Sequence, residues 1–244
     1  MSGFARLVRN IYDRLGNNNS HCNVANKRTK MKILNLYACL GGNRYKWNEV
    51  KEDIEVTAVE LDPECARLYQ ERFPNDKVIV ADAHQYLLDH YNEFDFIWSS
   101  PPCPTHSKLA LSMKNKDNYK KNYADMKLYQ EILFLKYYFN GKYVVENVIP
   151  YYEPLISAKK RGRHLYWTNF NLPNNIGRKN ADNFSKTDTK SLSIYHDYDF
   201  TKYKGKQPIG KIGRNLVDYE AGKTIFETML GITRSENINQ EELF

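Results

Sequence analysis

Four apolar runs in the first hundred residues each stop at a residue type that ends a strand. MKILNLYACL breaks at Gly41 and Gly42, IEVTAVE ends on Glu60, VIVA runs into Asp82, and FDFIW gives way to Ser-Ser-Pro-Pro. Helix-compatible stretches lie between them. Residues 44–51 suit a short helix. A longer one follows Asp62-Pro63, where a capping Asp and a first-turn proline precede Cys65, Leu68, Tyr69 and Phe73 at inward spacing. Strand, turn and helix in alternation predict an α/β fold with a parallel, doubly wound sheet, in which ligands bind at the carboxyl ends of the strands. A fifth apolar run, YVVENV, ends on the polar pair Glu146 and Asn147. RHLYWTNF alternates, so Leu165 and Trp167 should face one side and His164 and Tyr166 the other.

At 244 residues and 41% hydrophobic content, the chain has room for one such domain and a small appendage. The four cysteines form no CxxC pair and have no ligand-spaced histidines, so neither a metal site nor a disulfide framework is expected. No run approaches a membrane span, and the N-terminus lacks the apolar stretch of a secretion signal. The expectation is a soluble, cytoplasmic protein with no membrane partner. The net charge of +7 is unevenly spread: residues 1–30 balance at +5 and residues 157–214 at +9, which leaves about −7 for the remainder. An acidic body carrying two basic segments predicts contact with a polyanion.

The stiffest feature is the loop at 100–107. Pro101 and Pro102 have locked φ angles, so Cys103 is held on a rigid turn at a strand end, where a thiol can act as a nucleophile. Glu146, at the end of the next strand, is the matching acid. Glycines after the first strand, Glu60 after the second and Asp82 after the third suit a nucleoside-carrying cofactor lying across the strand ends, with Glu60 accepting from ribose hydroxyls. Neither GxGxxG nor GxxxxGK[ST] is present, which leaves S-adenosylmethionine as the nucleoside cofactor.

Together ILNLYACLGG, VELDPECARLY, ADAHQYL, SSPPCPTHS, YVVENV, the RGR of Arg161 to Arg163, and RNLV at 214–217 resemble the ordered motifs of the DNA cytosine-5 methyltransferases over residues 31 to about 230. The resemblance implies a Rossmann-like sheet with a small target-recognition appendage. It divides the chain into a basic leader (1–30), a catalytic domain (31–170), a recognition segment (171–212) and a C-terminal helix with its tail (213–244). It further implies Cys103 as nucleophile, Glu146 as the acid at the cytosine ring nitrogen, and Arg161 and Arg163 near the flipped base and its phosphate. Cofactor contacts would come from Tyr37, Ala38, Gly41, Gly42, Glu60, Leu61, Asp82, Ala83, Pro101 and Asn215. The implied partner is double-stranded DNA, with RNA as an open alternative and a restriction partner unassigned. Four positions depart from the family pattern: Cys39 stands for a glycine, Pro104 for a glutamine, Lys159 for a glutamine, and RNLV for glycine-asparagine-alanine-valine.

Carbon 5 of cytosine is a poor nucleophile, and thiolate addition at carbon 6 makes it an enamine carbon. Cations from Arg161 and Arg163 are expected to lower the Cys103 pKa. Val144, Val145 and Val148 are expected to keep the Glu146 carboxyl partly protonated. The aromatic-interleaved basic segment 159–211 would contact the phosphates of a strand whose base has left the stack. KNKDNYKKNY reads as a loop closing over the site, and MKLYQEILFLKYYF as a helix behind it. Residues 1–15 have helical spacing. Two rival readings stay open: methylation of the cytosine exocyclic amine, for which a Ser-Pro-Pro-aromatic loop is usual, and an inactive DNA-binding relative.

Overall fold

A computed structural model describes residues 30–108, 123–177 and 188–232. Seven strands form one sheet: β1 (Met31–Leu36), β2 (Ile54–Glu60), β3 (Lys77–Val80), β4 (Phe96–Ser99), β5 (Lys142–Val148), β6 (Lys159–Arg161) and β7 (His164–Thr168). Among the described residues seven α-helices accompany them: α1 (Trp47–Val50), α2 (Pro63–Arg72), α3 (Ala83–His90), α4 (Lys127–Tyr138), α5 (Thr189–His196), α6 (Ile209–Asn215) and α7 (Tyr219–Met229). Short 3-10 turns at Tyr91–Glu93 and Phe200–Lys202 complete the described elements. The strand order is β3-β2-β1-β4-β5-β7-β6, and β1 to β5 pair in parallel.

The central strands β1, β4 and β5 are buried on both faces, and neighbouring residues divide between two cores. Leu34, Ile97 and Val145 pack with Leu87 of α3 and Leu128, Ile132 and Leu135 of α4. Their neighbours Ile33, Phe96 and Val144 pack on the other face with Trp47 of α1 and Ile225, Phe226 and Met229 of α7. A period of two places successive side chains on opposite faces, so continuous apolar runs require helices above and below. The sheet is therefore doubly wound and Rossmann-like, as expected. The alternation of RHLYWTNF also holds: Leu165 and Trp167 join the first core and Tyr166 the second.

Two expectations change. The sheet is mixed, because β7 pairs antiparallel with both β5 and β6. The hairpin between β6 and β7 turns at Gly162, whose φ is +55°. The closing helix is two: α6 ends at Asn215, Leu216 is extended, and Asp218 then caps α7 by accepting from the Glu220 N–H. The glycine pair is also closely packed by protein. Gly41 has φ +69°, and a Cβ there would lie 2.3 Å from the Phe73 ring, while one at Gly42 would lie 2.2 Å from the Val217 carbonyl oxygen. Most of the leader and the tail, and nearly all of the loop proposed to close over the site, fall outside the described residues.

The turn from β1 towards α1 is braced from below. Arg44 forms a two-point ion pair with Asp76, both distances 2.9 Å, and Tyr69 donates its hydroxyl to the same carboxylate at 3.0 Å. All three side chains are buried. Among the described residues, no helix is long and apolar enough to cross a membrane, and no three His, Cys, Asp or Glu side chains gather as a metal site.

Candidate active site

The carboxyl ends of β1, β2, β4 and β5 open into a cavity of about 1040 Å³. Tyr37, Ala38, Gly42, Glu60, Leu61, Asp82, Ala83, Pro101, Cys103, Glu146, Arg161, Arg163 and Asn215 all line it. Of the expected site residues, Gly41 alone does not. Its volume lies at the upper end of the usual range for ligand pockets, on the order of 300–1,000 Å³.

One half is built around Glu60. Its two carboxylate oxygens accept from the backbone N–H groups of Cys39 and Asp62, each at 2.8 Å. Burial outweighs these donors and holds its carboxyl above the usual carboxylate range. The backbone donors fix the orientation, and each oxygen keeps a lone pair for a ligand hydroxyl. Asp82 caps α3 through Oδ1, accepting from His84 and Gln85, and its Oδ2 lies 3.6 Å from the Lys127 ammonium. A fixed carboxylate at a strand end, a second acid beside it and a cavity this large fit a nucleoside cofactor.

Cys39 sits in the left-handed region, with φ +48°, which is glycine-like backbone. Its side chain packs with the cluster of Leu40, Cys65 and Leu68. A hydrogen bond that the Cys65 thiol donates to Cys39, then burial, push the Cys65 thiol well up.

The second half joins the proline-cysteine loop to β5. Asn147 donates its side-chain N–H to the Pro101 carbonyl at 3.0 Å, and its own Oδ1 accepts from the Val148 N–H at 2.9 Å. Asn147 had no assigned role, and it ties together the two most specific motifs of the chain. Cys103 is half-buried, and its carbonyl accepts from the N–H groups of His106 and Ser107, both at 3.0 Å. Glu146 is buried, with Oε1 3.5 Å from the His164 Nε2.

The electrostatics differ from expectation. Burial, then the Glu146 charge, push the Cys103 thiol up, and Lys211 of α6 is the cation that opposes them. Arg161 lines the cavity, and its guanidinium donates to the carbonyls of Lys160 at 2.8 Å, Leu172 at 3.0 Å and Pro173. It fastens β6 to the chain leaving β7. Lys159 bonds the Thr168 hydroxyl and the Phe170 carbonyl in the same region.

The basic segment also has a defined seat. Tyr203 and Gln207 both donate to Asp62 Oδ2, at 2.9 and 2.7 Å, and the Lys204 N–H donates to Glu64. Burial works against Asp62 ionising, but these donors hold it below the usual carboxylate range. Leu192, Phe200 and Ile212 complete the packing against Cys65 and Leu68 of α2, which sets Lys204, Lys206 and Lys211 along the cavity wall.

Comparison with known proteins is consistent with this geometry. Residues 31–148 match the family profile of the C-5 cytosine-specific DNA methylase. A curated relative, the type II methyltransferase M1.HgaI of Avibacterium volantium, is 30% identical over 115 residues, which is 42% of this chain and 31% of the relative. Among solved structures, a variant of DNMT2 from Spodoptera frugiperda is 25% identical over 49% of this chain and 36% of its own, with a TM-score of 0.36. The Entamoeba histolytica methyltransferase EhMeth is 14% identical over 49% of this chain and 38% of its own, with a TM-score of 0.32. The chain thus spans about a third of the length of these relatives. Residues 31–148, which carry the strand ends, the proline-cysteine loop and the ENV triplet, are thus similar to the C-5 cytosine-specific DNA methylases.

Proposed function

We propose that this protein methylates carbon 5 of cytosine in DNA, with Cys103 as a covalent nucleophile and Glu146 as the group that meets the ring nitrogen. One observation carries the reading: the Cys103 thiol and the Glu146 carboxylate line one cavity closely enough for the charge of Glu146 to raise the thiol pKa, on the same side of the sheet as Glu60. The cofactor of this family, S-adenosylmethionine, supplies an electrophilic methyl group when bound. Glu60 and Asp82 would hold its ribose and adenine, with Tyr37, Ala38, Leu61, Ala83, Pro101 and Asn215 around it.

The chain's own residues account for the remaining chemistry. A target carbon inside a duplex is out of reach, so the base leaves the stack at a cost of a few kcal/mol. Lys204, Lys206, Lys211 and Arg163 on the cavity wall offset that cost by drawing in phosphates. The Cys103 sulfur then bonds carbon 6, and carbon 5 gains the electron density to accept a methyl group. Loss of the carbon 5 proton and departure of the sulfur restore the ring. Glu146 stabilises the ring nitrogen as charge gathers there. A carboxylate beside a resting thiol keeps that thiol protonated, and a base that engages Glu146 removes this restraint when the thiolate is needed. Arg161 serves as the fastener of the β6–β7 edge.

The test is a nucleoside digest of unmethylated DNA treated with the protein and methyl-labelled S-adenosylmethionine, analysed by mass spectrometry. Label in 5-methylcytosine is the expected product. Label in N4-methylcytosine, or none in either, refutes the reading.

A further inference from the structure

We propose that Cys39 and Cys65 form an oxidisable dithiol, which closes into a disulfide beside Glu60 when a peroxide enters the cavity and thereby lowers the affinity for S-adenosylmethionine. The loss of affinity rests on the cofactor reading given above; the disulfide itself does not.

Three backbone hydrogen bonds bring the two cysteines together at the β2–α2 turn. The Cys39 and Asp62 N–H groups donate to the two oxygens of Glu60, each at 2.8 Å, and the Cys65 N–H donates to Asp62 Oδ1 at 3.3 Å. Both side chains pack in the cluster that holds Leu40 and Leu68. Both thiols are free, and that of Cys65 donates a hydrogen bond to Cys39. Sulfurs in hydrogen-bond contact need only a short movement to reach the disulfide bond length of about 2.05 Å.

Exposure divides the roles. Both residues line the cavity, but Cys39 is half-buried whereas Cys65 is only 1% exposed. A small oxidant therefore meets the Cys39 sulfur first. That sulfur, as thiolate, attacks one oxygen of hydrogen peroxide and breaks the O–O bond; Cys39 becomes a sulfenic acid, and the released hydroxide takes the thiol proton and leaves as water. The Cys65 sulfur then attacks the sulfenic sulfur, and its own proton departs with the displaced hydroxide as a second water. Two thiols are oxidised to one disulfide, and one peroxide is reduced to two waters.

The backbone shows which part of Cys39 the cofactor site uses. Its φ of +48° lies in the region that favours glycine, and it stands where the family pattern has a glycine. Glycine would supply the same N–H to Glu60 without that strain, so the sulfur is the part of Cys39 that cofactor binding does not require. Forming the disulfide draws Cys39 towards α2 and away from Glu60. The carboxylate then loses one of its two backbone donors, and with it the orientation in which it meets ribose hydroxyls.

Two measurements test this on the full chain. Reduced protein is treated with hydrogen peroxide, blocked with iodoacetamide and digested for peptide mass spectrometry. The expected product is a peptide pair joining Cys39 to Cys65 with the loss of two hydrogens, which dithiothreitol reverses. No such pair, or one joining either residue to Cys22 or Cys103 in its place, overturns the proposal. In Cys65→Ser the reaction should stop at the Cys39 sulfenic acid, which dimedone labels; an unlabelled Cys39 there overturns it too, and the wild-type digest decides the matter if this variant does not fold. Calorimetry then compares the reduced and oxidised proteins. S-adenosylmethionine should bind roughly tenfold more weakly after oxidation and recover on reduction. Equal affinities overturn the proposal and leave the cofactor reading intact. Reduced protein that binds no S-adenosylmethionine refutes the cofactor reading and the loss of affinity together, and the dithiol then stands or falls on the Cys39–Cys65 peptide pair.

Discussion

Ser99 donates its hydroxyl to Glu131 across 2.6 Å, binding the last residue of the strand before the nucleophile loop to a fully buried carboxylate on α4. The same carboxylate accepts from the Tyr37 hydroxyl at 2.5 Å and meets His84 Nδ1 at 3.0 Å. Burial, then the Glu131 charge, hold the Tyr37 hydroxyl far above its usual range, so it remains a donor. Three elements of the cavity floor thus converge on one side chain. Glu131→Gln turns one acceptor into an NH₂ facing a donor, and it should destabilise the protein by about 1–3 kcal/mol. Denaturant melts of the two proteins measure this, and unchanged stability would show that the convergence carries no energy.

Cys103 should alkylate slowly at neutral pH. Burial and Glu146 raise its pKa, so the reactive thiolate accumulates only above the ordinary cysteine range. Removing a neighbouring negative charge favours the anion, so Glu146→Gln moves the midpoint down; removing Lys211's positive charge moves it up. Iodoacetamide labelling across pH, with Cys103 followed by peptide mass spectrometry, reads both shifts. A midpoint that rises in Glu146→Gln contradicts the geometry.

Cofactor affinity should depend on the ionisation of Glu60. Its carboxyl is held above the usual range, mainly by burial, so it protonates at a higher pH than an exposed glutamate and then loses acceptor capacity for hydroxyls. Calorimetry should find S-adenosylmethionine binding weakening as pH falls through that raised midpoint. Glu60→Gln should bind roughly ten- to a hundredfold more weakly at neutral pH and lose this pH dependence.

The Arg44–Asp76 pair supplies a control remote from the chemistry. Asp76→Ala leaves a buried guanidinium without its partner and deprives Tyr69 of its acceptor, at a cost of about 3–5 kcal/mol. Thermal or denaturant unfolding should register the loss even where the cavity residues are intact.

Local signals were legible and distant ones were not. Apolar runs ending in glycine, acid or proline betrayed the strands, and Asp62-Pro63 starts α2 as its sequence requires, with Asp62 accepting from the Glu64 and Cys65 N–H groups. Cys103, Glu146 and Glu60 could be singled out because each stands where a strand ends. The antiparallel edge formed by β6 and β7 depends on pairings that no window of sequence contains. Arg161 reads as a catalytic arginine, and no window of sequence shows that it also holds the carbonyls of Leu172 and Pro173. Gly41 and Gly42 read as ligand-facing, and the rings of Tyr69 and Phe73 and the Val217 carbonyl, distant in sequence, demand them as well.

The central claim is a covalent bond between Cys103 and a pyrimidine. Its most direct measurement uses DNA carrying 5-fluorocytosine in a site the protein methylates, incubated with protein and S-adenosylmethionine and resolved under denaturing conditions. Fluorine at carbon 5 cannot leave as a proton does, so the sulfur–carbon bond persists. A protein–DNA adduct that maps to Cys103 and disappears in Cys103→Ala is the predicted result; no adduct, under conditions where the unfluorinated site is methylated, contradicts the account.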